Sequence, residues 1–334
     1  MVSIHELDKI VDKIKILEIE KKKLAGFLRE IPELYWNVSK VELGNIKIGG
    51  EDGGLTKKSG HLMDFVFLRA IGVIFSYKKS KLVDVAYHPI MNPVPEIIHS
   101  KESFSDIEFR IFWSLQRIKK ELIVSIETIS KYSPNLFLID GSLLVNPADA
   151  RSTESTVYSD YLEVNKLFEK LCNTAKQENC LLAGVVEDSR SSVFCKHIAD
   201  NIIEKLDIKN KQELITILNR TKDTNLLHYL LEKREVTKII NLEGGINYFY
   251  LKTVEFDRPI RVEFIGDEAQ GKRIAELVYT ISSQSKTYGL PTVLIEADQR
   301  AKLSENDSDN YVNIIASKLG LQNIFFLRRD SRPF

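Results

Sequence analysis

Residues 46–54 read IKIGGEDGG and residues 136–143 read LFLIDGSL. In each, a short apolar run with strand composition stops at an aspartate followed by glycine. This reading places Asp52 and Asp140 at strand ends. In an open α/β sheet, strand ends are where ligands and catalytic groups gather. A glycine beside each acid lets backbone or a phosphate come close. If the two strands are neighbours, both carboxylates aim at one spot and repel unless a cation lies between them. Oxygen ligands without a Cys or His cluster favour Mg²⁺ or Mn²⁺ over Zn²⁺. Asp-Gly is also a common turn dipeptide, so the elements around the two aspartates carry the argument.

Working outward, FVFLRAIGVIFSY (65–77) and LVDVAYHPI (82–90) read as strands, the second ended by the proline-rich MNPVPE. The short turns between them predict antiparallel hairpins. The period then changes. Ile107, Ile111, Leu115, Ile118, Leu122, Ile126 and Ile129 follow helical spacing, so residues 104–130 read as a helix. LFLID (136–140) follows as a strand. Three strands, a helix and a strand, with acids on the first strand, the helix and the fourth strand, is the arrangement of the ribonuclease H-like fold. The helix acid is Glu121 or Glu108.

Alternating elements continue downstream. Residues 157–179 read as a helix, 180–188 as a buried strand, and 194–231 as helices with breaks. Residues 247–256 and 260–266 form a hairpin pattern, 271–285 a helix pattern, and NIFFLR (323–328) a last apolar run. VLIEADQRAKL (293–303) and residues 308–319 lie between the last two. The loop 145–156 is the most flexible-looking stretch. At the other end, Leu7, Ile10, Ile14, Leu17, Leu24 and Leu28 form a stripe along one long helix, broken at Lys21. The expected division is a helical segment over 1–32, suited to a dimer or partner contact, and one elaborated α/β domain over 45–330. Its fold class is a ribonuclease H-like mixed sheet flanked by helices.

Composition narrows the class. Of 334 residues, 43% are hydrophobic and 28% charged, the balance of a soluble globular protein. The formal net charge is zero, so nucleic-acid binding depends on a local basic surface. No apolar run reaches the ~18 residues of a membrane span. The charged N-terminus has no signal-like apolar core. Cys172, Cys180 and Cys195 lack metal or disulfide spacing and read as reduced thiols, which gives a cytoplasmic expectation.

At these residues the sequence resembles the NurA family of DNA end-processing nucleases. Asp52-Gly53-Gly54, Arg69-Ala70 and Val73-Ile74-Phe75 resemble the family's first two strands. Ser114-Leu115, Arg117 and Glu121 resemble its acid-bearing helix, and residues 138–143 its central motif. Val185-Val186 and Asp188-Ser189-Arg190-Ser191 are similar to a further strand. Tyr288, Pro291 and Leu294-Ile295-Glu296-Ala297-Asp298 resemble its C-terminal motif. Two positions depart from the family: Glu51, where a hydrophobic residue is usual, and Glu187, where a lysine is frequent.

The resemblance implies Mn²⁺-favouring catalysis with one or two ions, Mg²⁺ being the alternative. It implies exonuclease and endonuclease action on single- and double-stranded DNA in double-strand-break end processing. It also implies a homodimer and a HerA-type hexameric ATPase as partner. Asp52, Glu121, Asp140 and Asp298 become the expected metal ligands, with Tyr288 completing the catalytic set. Glu296 is a further candidate, sharing a face with Asp298 on a strand but not on a helix. Candidates for DNA contact are Lys57, Lys58, Arg69, Arg190, Arg300 and Lys302. Arg69 interrupts an apolar strand and is expected to face an acid. Two other readings stay open. An ATP-dependent phosphotransferase or actin-like ATPase shares the core topology, but neither a second copy of it nor a GxxxxGK[ST] motif is present. A non-catalytic partner-binding module is the other.

Overall fold

The computed structural model describes residues 4–59, 63–100, 105–144 and 157–320. The chain forms two compact units, each made of two stretches. One comprises Met1–Val41 and Gly184–Thr292, the other Glu42–Ala183 and Val293–Phe334. The loop 145–156 and the run 323–328 lie outside the described residues.

The N-terminal stripe forms α1 (Ile4–Arg29), followed by the short β1 (Tyr35–Asn37). Leu24, Ala25 and Leu28 are buried against the helices of the first unit, while Leu7, Ile10, Ile14 and Leu17 are exposed. Thus α1 is anchored by its last turns.

The second unit opens with β2 (Asn45–Ser59), β3 (Asp64–Lys78) and β4 (Lys81–His88), paired antiparallel in sequence. The ladder of β2 with β3 is unbroken from Asn45↔Lys78 to Ser59↔Asp64. Asp52 therefore lies in mid-strand and not at a strand end, as the glycines had suggested. Continuous pairing with the β-branched β3 holds the glycine-rich segment extended despite its poor strand propensity. A short β5 (Glu96–His99) adds to β3.

Helix α2 (Asp106–Tyr132) begins at a capping box in which Ser105 and Glu108 bond reciprocally. Glu108, the alternative site acid, is thus engaged in capping the helix. α2 returns the chain to β6 (Leu136–Asp140), which pairs parallel to β2 over Ile48↔Leu136 to Glu51↔Ile139. The order β6-β2-β3-β4 has the first strand beside the fourth, as the fold requires. Helix α3 (Tyr158–Gln177) packs on α2, where Lys119 bridges Asp160 at 3.1 Å and Glu163 at 2.6 Å.

Strand β7 (Leu181–Val186) carries the chain into the first unit. There α4 (Val193–Asn201), α5 (Lys211–Arg220) and α6 (Asp223–Leu230) form the predicted broken helical region. The buried Asp223 accepts from the N–H of Cys195 (2.9 Å) and Phe194 (3.2 Å) and from the Tyr250 hydroxyl (2.9 Å). The short β8 (Glu235–Thr237) pairs with β1, and β9 (Ile240–Asn241) with β10 (Ile246–Leu251). β10 forms the expected antiparallel pair with β11 (Ile260–Ile265) and also meets β8. α7 (Glu268–Ser282) follows, with its own capping box at Asp267.

The chain re-enters the second unit in α8 (Thr292–Ala301) and α9 (Glu305–Leu319). Val312 and Ala316 of α9 are buried with Phe65 and Phe67 of β3. Among the described residues no helix is long and apolar enough to cross a membrane.

Candidate active site

Consecutive residues of an extended strand point to opposite faces. On β2 the odd positions face α2: a Cβ built at Gly53 would overlap the Glu121 carboxylate. The even positions face α8: a Cβ at Gly50 would lie 3.0 Å from Leu294, and one at Gly54 would overlap the carbonyl of Ala301. Glycine at 53 and 54 is required by close approach, since any side chain would displace α2's acid or the end of α8. Glu51 and Asp52 thus diverge, the first toward α2 and the second toward α8.

Asp52 is 7% exposed and accepts the N–H of Gly53 at 2.7 Å. Burial raises its pKa; the bond from Gly53 and a side-chain hydrogen bond with Asp140 oppose this, while the charge of Asp298 adds to the rise. The expectation that Asp52 and Asp140 would converge is met, because β6 ends at Asp140 beside β2. Asp298 projects from α8 and is exposed.

Glu121 is 6% exposed. Burial, with the charges of Asp52 and Asp140, lifts its carboxyl to about 8 against the pull of Arg117. Arg117, one turn earlier on α2, holds its Nη1 3.1 Å from Glu121 Oε1. The charge of Glu121 raises the Arg117 pKa most, so this guanidinium stays protonated. Glu51 is wholly buried, and neither of its carboxylate oxygens has a hydrogen-bond partner among the described residues. Burial first, then the charges of Glu121, Asp52 and Asp140, push its pKa well above the ordinary carboxyl value. In the sequence Glu51 stands out only as a departure from the family pattern and Arg117 only as part of a motif, neither with a role. An acid inside an otherwise apolar strand pattern was the available signal.

A pocket of about 470 Å³ opens on this cluster, its wall including Glu51, Arg117, Glu121 and Asp140, with Trp113 and Phe168 among its apolar residues. Lys57 sits with Nζ 3.8 Å from the centroid of the Trp113 ring, and burial lowers its pKa. Among the described residues, no three His, Cys, Asp or Glu side chains meet as a closed metal-ligand set. The donors nonetheless suit a hard divalent cation. All are carboxylates, one is orphaned in the interior, and burial raises the pKa values of Glu51, Asp52 and Glu121.

The remaining candidates are placed differently. Glu296 lies on a helix, so it does not share a face with Asp298; it accepts from the Tyr87 hydroxyl and Arg300 Nε, both at 2.8 Å. Arg300 is thereby engaged in an ion pair. Arg69 was expected to face an acid. Its charge does reach Asp307, but its hydrogen bonds go to the carbonyls of Ala301 (2.9 Å), Pro93 (3.2 Å) and Lys302, tying down the end of α8. Helix-terminal carbonyls lack intrahelical partners, and a guanidinium fork answers several at once. Lys58 pairs with Asp309 at 3.0 Å, and Lys302 is exposed. Tyr288 and Arg190 belong to the first unit, Tyr288 being 42% exposed. Arg190 lines a polar pocket of about 340 Å³ there with Lys222 and Arg258.

The family model described as NurA domain matches residues 47–303. The crystal structure of the NurA nuclease from Sulfolobus solfataricus is similar over 93% of this chain and 97% of that one, with 20% identity and a TM-score of 0.55. A NurA structure with manganese is similar over 95% and 98%, with 11% identity and a TM-score of 0.55. A NurA structure bound to dAMP and manganese is similar over 94% and 96%, with 9% identity and a TM-score of 0.51. At these identities the likeness carries the fold. No curated sequence relative matches the chain.

Proposed function

The chain belongs to the NurA family, and from that premise we propose that it is a metal-dependent deoxyribonuclease that hydrolyses phosphodiester bonds. The observation that carries the reading is the set of acids on β2, α2 and β6, of which burial raises Glu51, Asp52 and Glu121 in pKa and of which Glu51, Glu121 and Asp140 line a pocket. Asp52, Glu121, Asp140 and Asp298 would hold one or two divalent cations, Mn²⁺ in preference to Mg²⁺. A bound cation polarises a phosphoryl oxygen and lowers the pKa of water.

The chain's own residues prepare that site. Arg117 holds the Glu121 carboxyl against β2 and offers a fixed positive charge to a phosphate. A cation held by Asp52 and Asp140 would favour their ionised forms, against the burial that raises the Asp52 pKa. Trp113 and Phe168 give the pocket apolar walls, and its size suits a nucleotide. Lys57 and exposed Arg110 supply charge at its margin for the DNA backbone, as Arg190 and Lys302 would elsewhere. Tyr288 would orient the scissile phosphate.

The full activity is exonuclease and endonuclease action on single- and double-stranded DNA, in double-strand-break end resection in the cytoplasm. It would be carried out by a homodimer working with a HerA-type hexameric ATPase. The exposed half of the α1 stripe supports the dimer. The test is incubation with both DNA forms in Mn²⁺, Mg²⁺ or EDTA. Cleavage is expected with Mn²⁺ and absent with EDTA. No cleavage under any metal would overturn the reading.

A further inference from the structure

The four acids named for the metal leave one carboxylate unused. Glu51 is 0% exposed, both of its oxygens lack a hydrogen-bond partner among the described residues, and it lines the pocket shared with Glu121 and Asp140. The ionised form of such a group is strongly disfavoured unless something positive meets it. Glu51 pairs in register with Gly72 on one side and Ile139 on the other, so neither neighbouring strand offers it a counter-charge there.

The geometry of β2 says where such a charge belongs. Glu51 and Gly53 point to the same face, and the Glu121 carboxylate rests in the space that a Cβ at Gly53 would fill. Two carboxylates, Glu51 and Glu121, therefore share the α2 side of the strand. The positive group identified beside them, Arg117, is drawn to Glu121 at 3.1 Å. Arg117 thus answers Glu121, and Glu51 keeps no hydrogen-bonded counter-charge among the described residues. On the opposite side of β2, Asp52 is drawn to Asp140 and feels Asp298.

We infer that Glu51 is a further acid of the site and that, together with Glu121, it holds a divalent cation on the α2 side of β2. The inference rests on the nuclease reading for the metal itself, and adds to it a ligand on the face that Asp52 does not serve. It also explains why an acid can stand in a strand whose neighbours are otherwise apolar or glycine.

The test measures metal binding, with no DNA present. Metal-free wild type, Glu51→Gln and Asp140→Asn are titrated with Mn²⁺, free ion being read by electron paramagnetic resonance. Melting temperature is followed with and without Mn²⁺. Glu51→Gln is expected to lower the affinity for one bound Mn²⁺ at least ~10-fold, the scale on which loss of a supporting ligand acts. It should also shrink the Mn²⁺-induced rise in melting temperature. Binding curves and Mn²⁺-induced rise that match wild type would overturn the inference, even if the metal-free melting temperature changes, because a purely structural acid would produce that pattern. Glu51→Leu, of similar volume, provides the same comparison if the glutamine variant does not fold. Wild type that binds Mn²⁺ but cleaves no DNA would count against the nuclease reading alone. Wild type that cleaves while Glu51→Gln binds Mn²⁺ unchanged would count against Glu51 alone.

Discussion

Glu121 holds a proton over a pH range in which an exposed glutamate is ionised. Its carboxyl sits at about 8 in the fold against an ordinary 4.5. Between those values the folded protein binds a proton that the unfolded chain has released. Without metal, stability therefore falls as pH rises through this window and levels off above about 8. Glu51 and Asp52, both raised, act with the same sign. Chemical denaturation in EDTA at a series of pH values should show the decline, and Glu121→Gln should reduce its slope. Metal binding has the opposite dependence, since the cation displaces these protons. Mn²⁺ affinity should rise as pH approaches 8, and a pH-independent isotherm would contradict the assignment. Asp140→Asn removes a charge without removing volume. DNA cleavage should fall by about 10²–10³-fold, the scale of losing one electrostatic catalytic group, with circular dichroism unchanged. Asp52 and Asp140 could be found in sequence because each is flanked by glycine after an apolar run. Glu51 could be seen as an anomaly, but its burial depends on α2 closing over β2, which no local pattern specifies.

On the scale of elements, the site depends on two helices held close to one strand. Gly54 lets the end of α8 press on β2, and Arg69 fastens the same end through the carbonyls of Ala301 and Lys302. Gly54→Ala should destabilise the fold by roughly 1–3 kcal/mol, as overpacking does. Arg69→Met should cost about 1–3 kcal/mol by leaving carbonyls unanswered. Denaturant titration reads both. If Arg69 instead served DNA, its replacement would leave stability intact and lessen the salt dependence of DNA binding. The order strand, strand, strand, helix, strand was legible from the change of period at residue 104. The extent of β2 was not. Glycines read as a strand end until β3 is known to pair with every residue of the segment. Strands such as β1, β5, β8 and β9 are too short for periodicity to reveal.

For the whole molecule, assembly turns on α1. Ile10 and Ile14 are 52% and 53% exposed, on a helix whose last turns alone are buried in its own unit. Apolar surface left in water favours association. The proposed homodimer should scatter light as twice the 38.3 kDa chain, and the double substitution Ile10→Asp, Ile14→Asp should return it to the single mass. A wild type that is monomeric at micromolar concentration would remove the dimer.

The sequence by itself determined the succession of elements, the long N-terminal helix and the two aspartates, because periodicity and glycine punctuation are local properties of the chain. Tertiary structure decided the rest. Side-chain direction on β2, and with it the divergence of Glu51 from Asp52, is fixed by which helix covers which face. Arg69, read from sequence as the partner of an acid, became an anchor for α8 once distant carbonyls arrived beside it. Charge states followed in turn: Glu121 reaches about 8 through burial and through acids on β2 and β6 that the chain brings together only on folding.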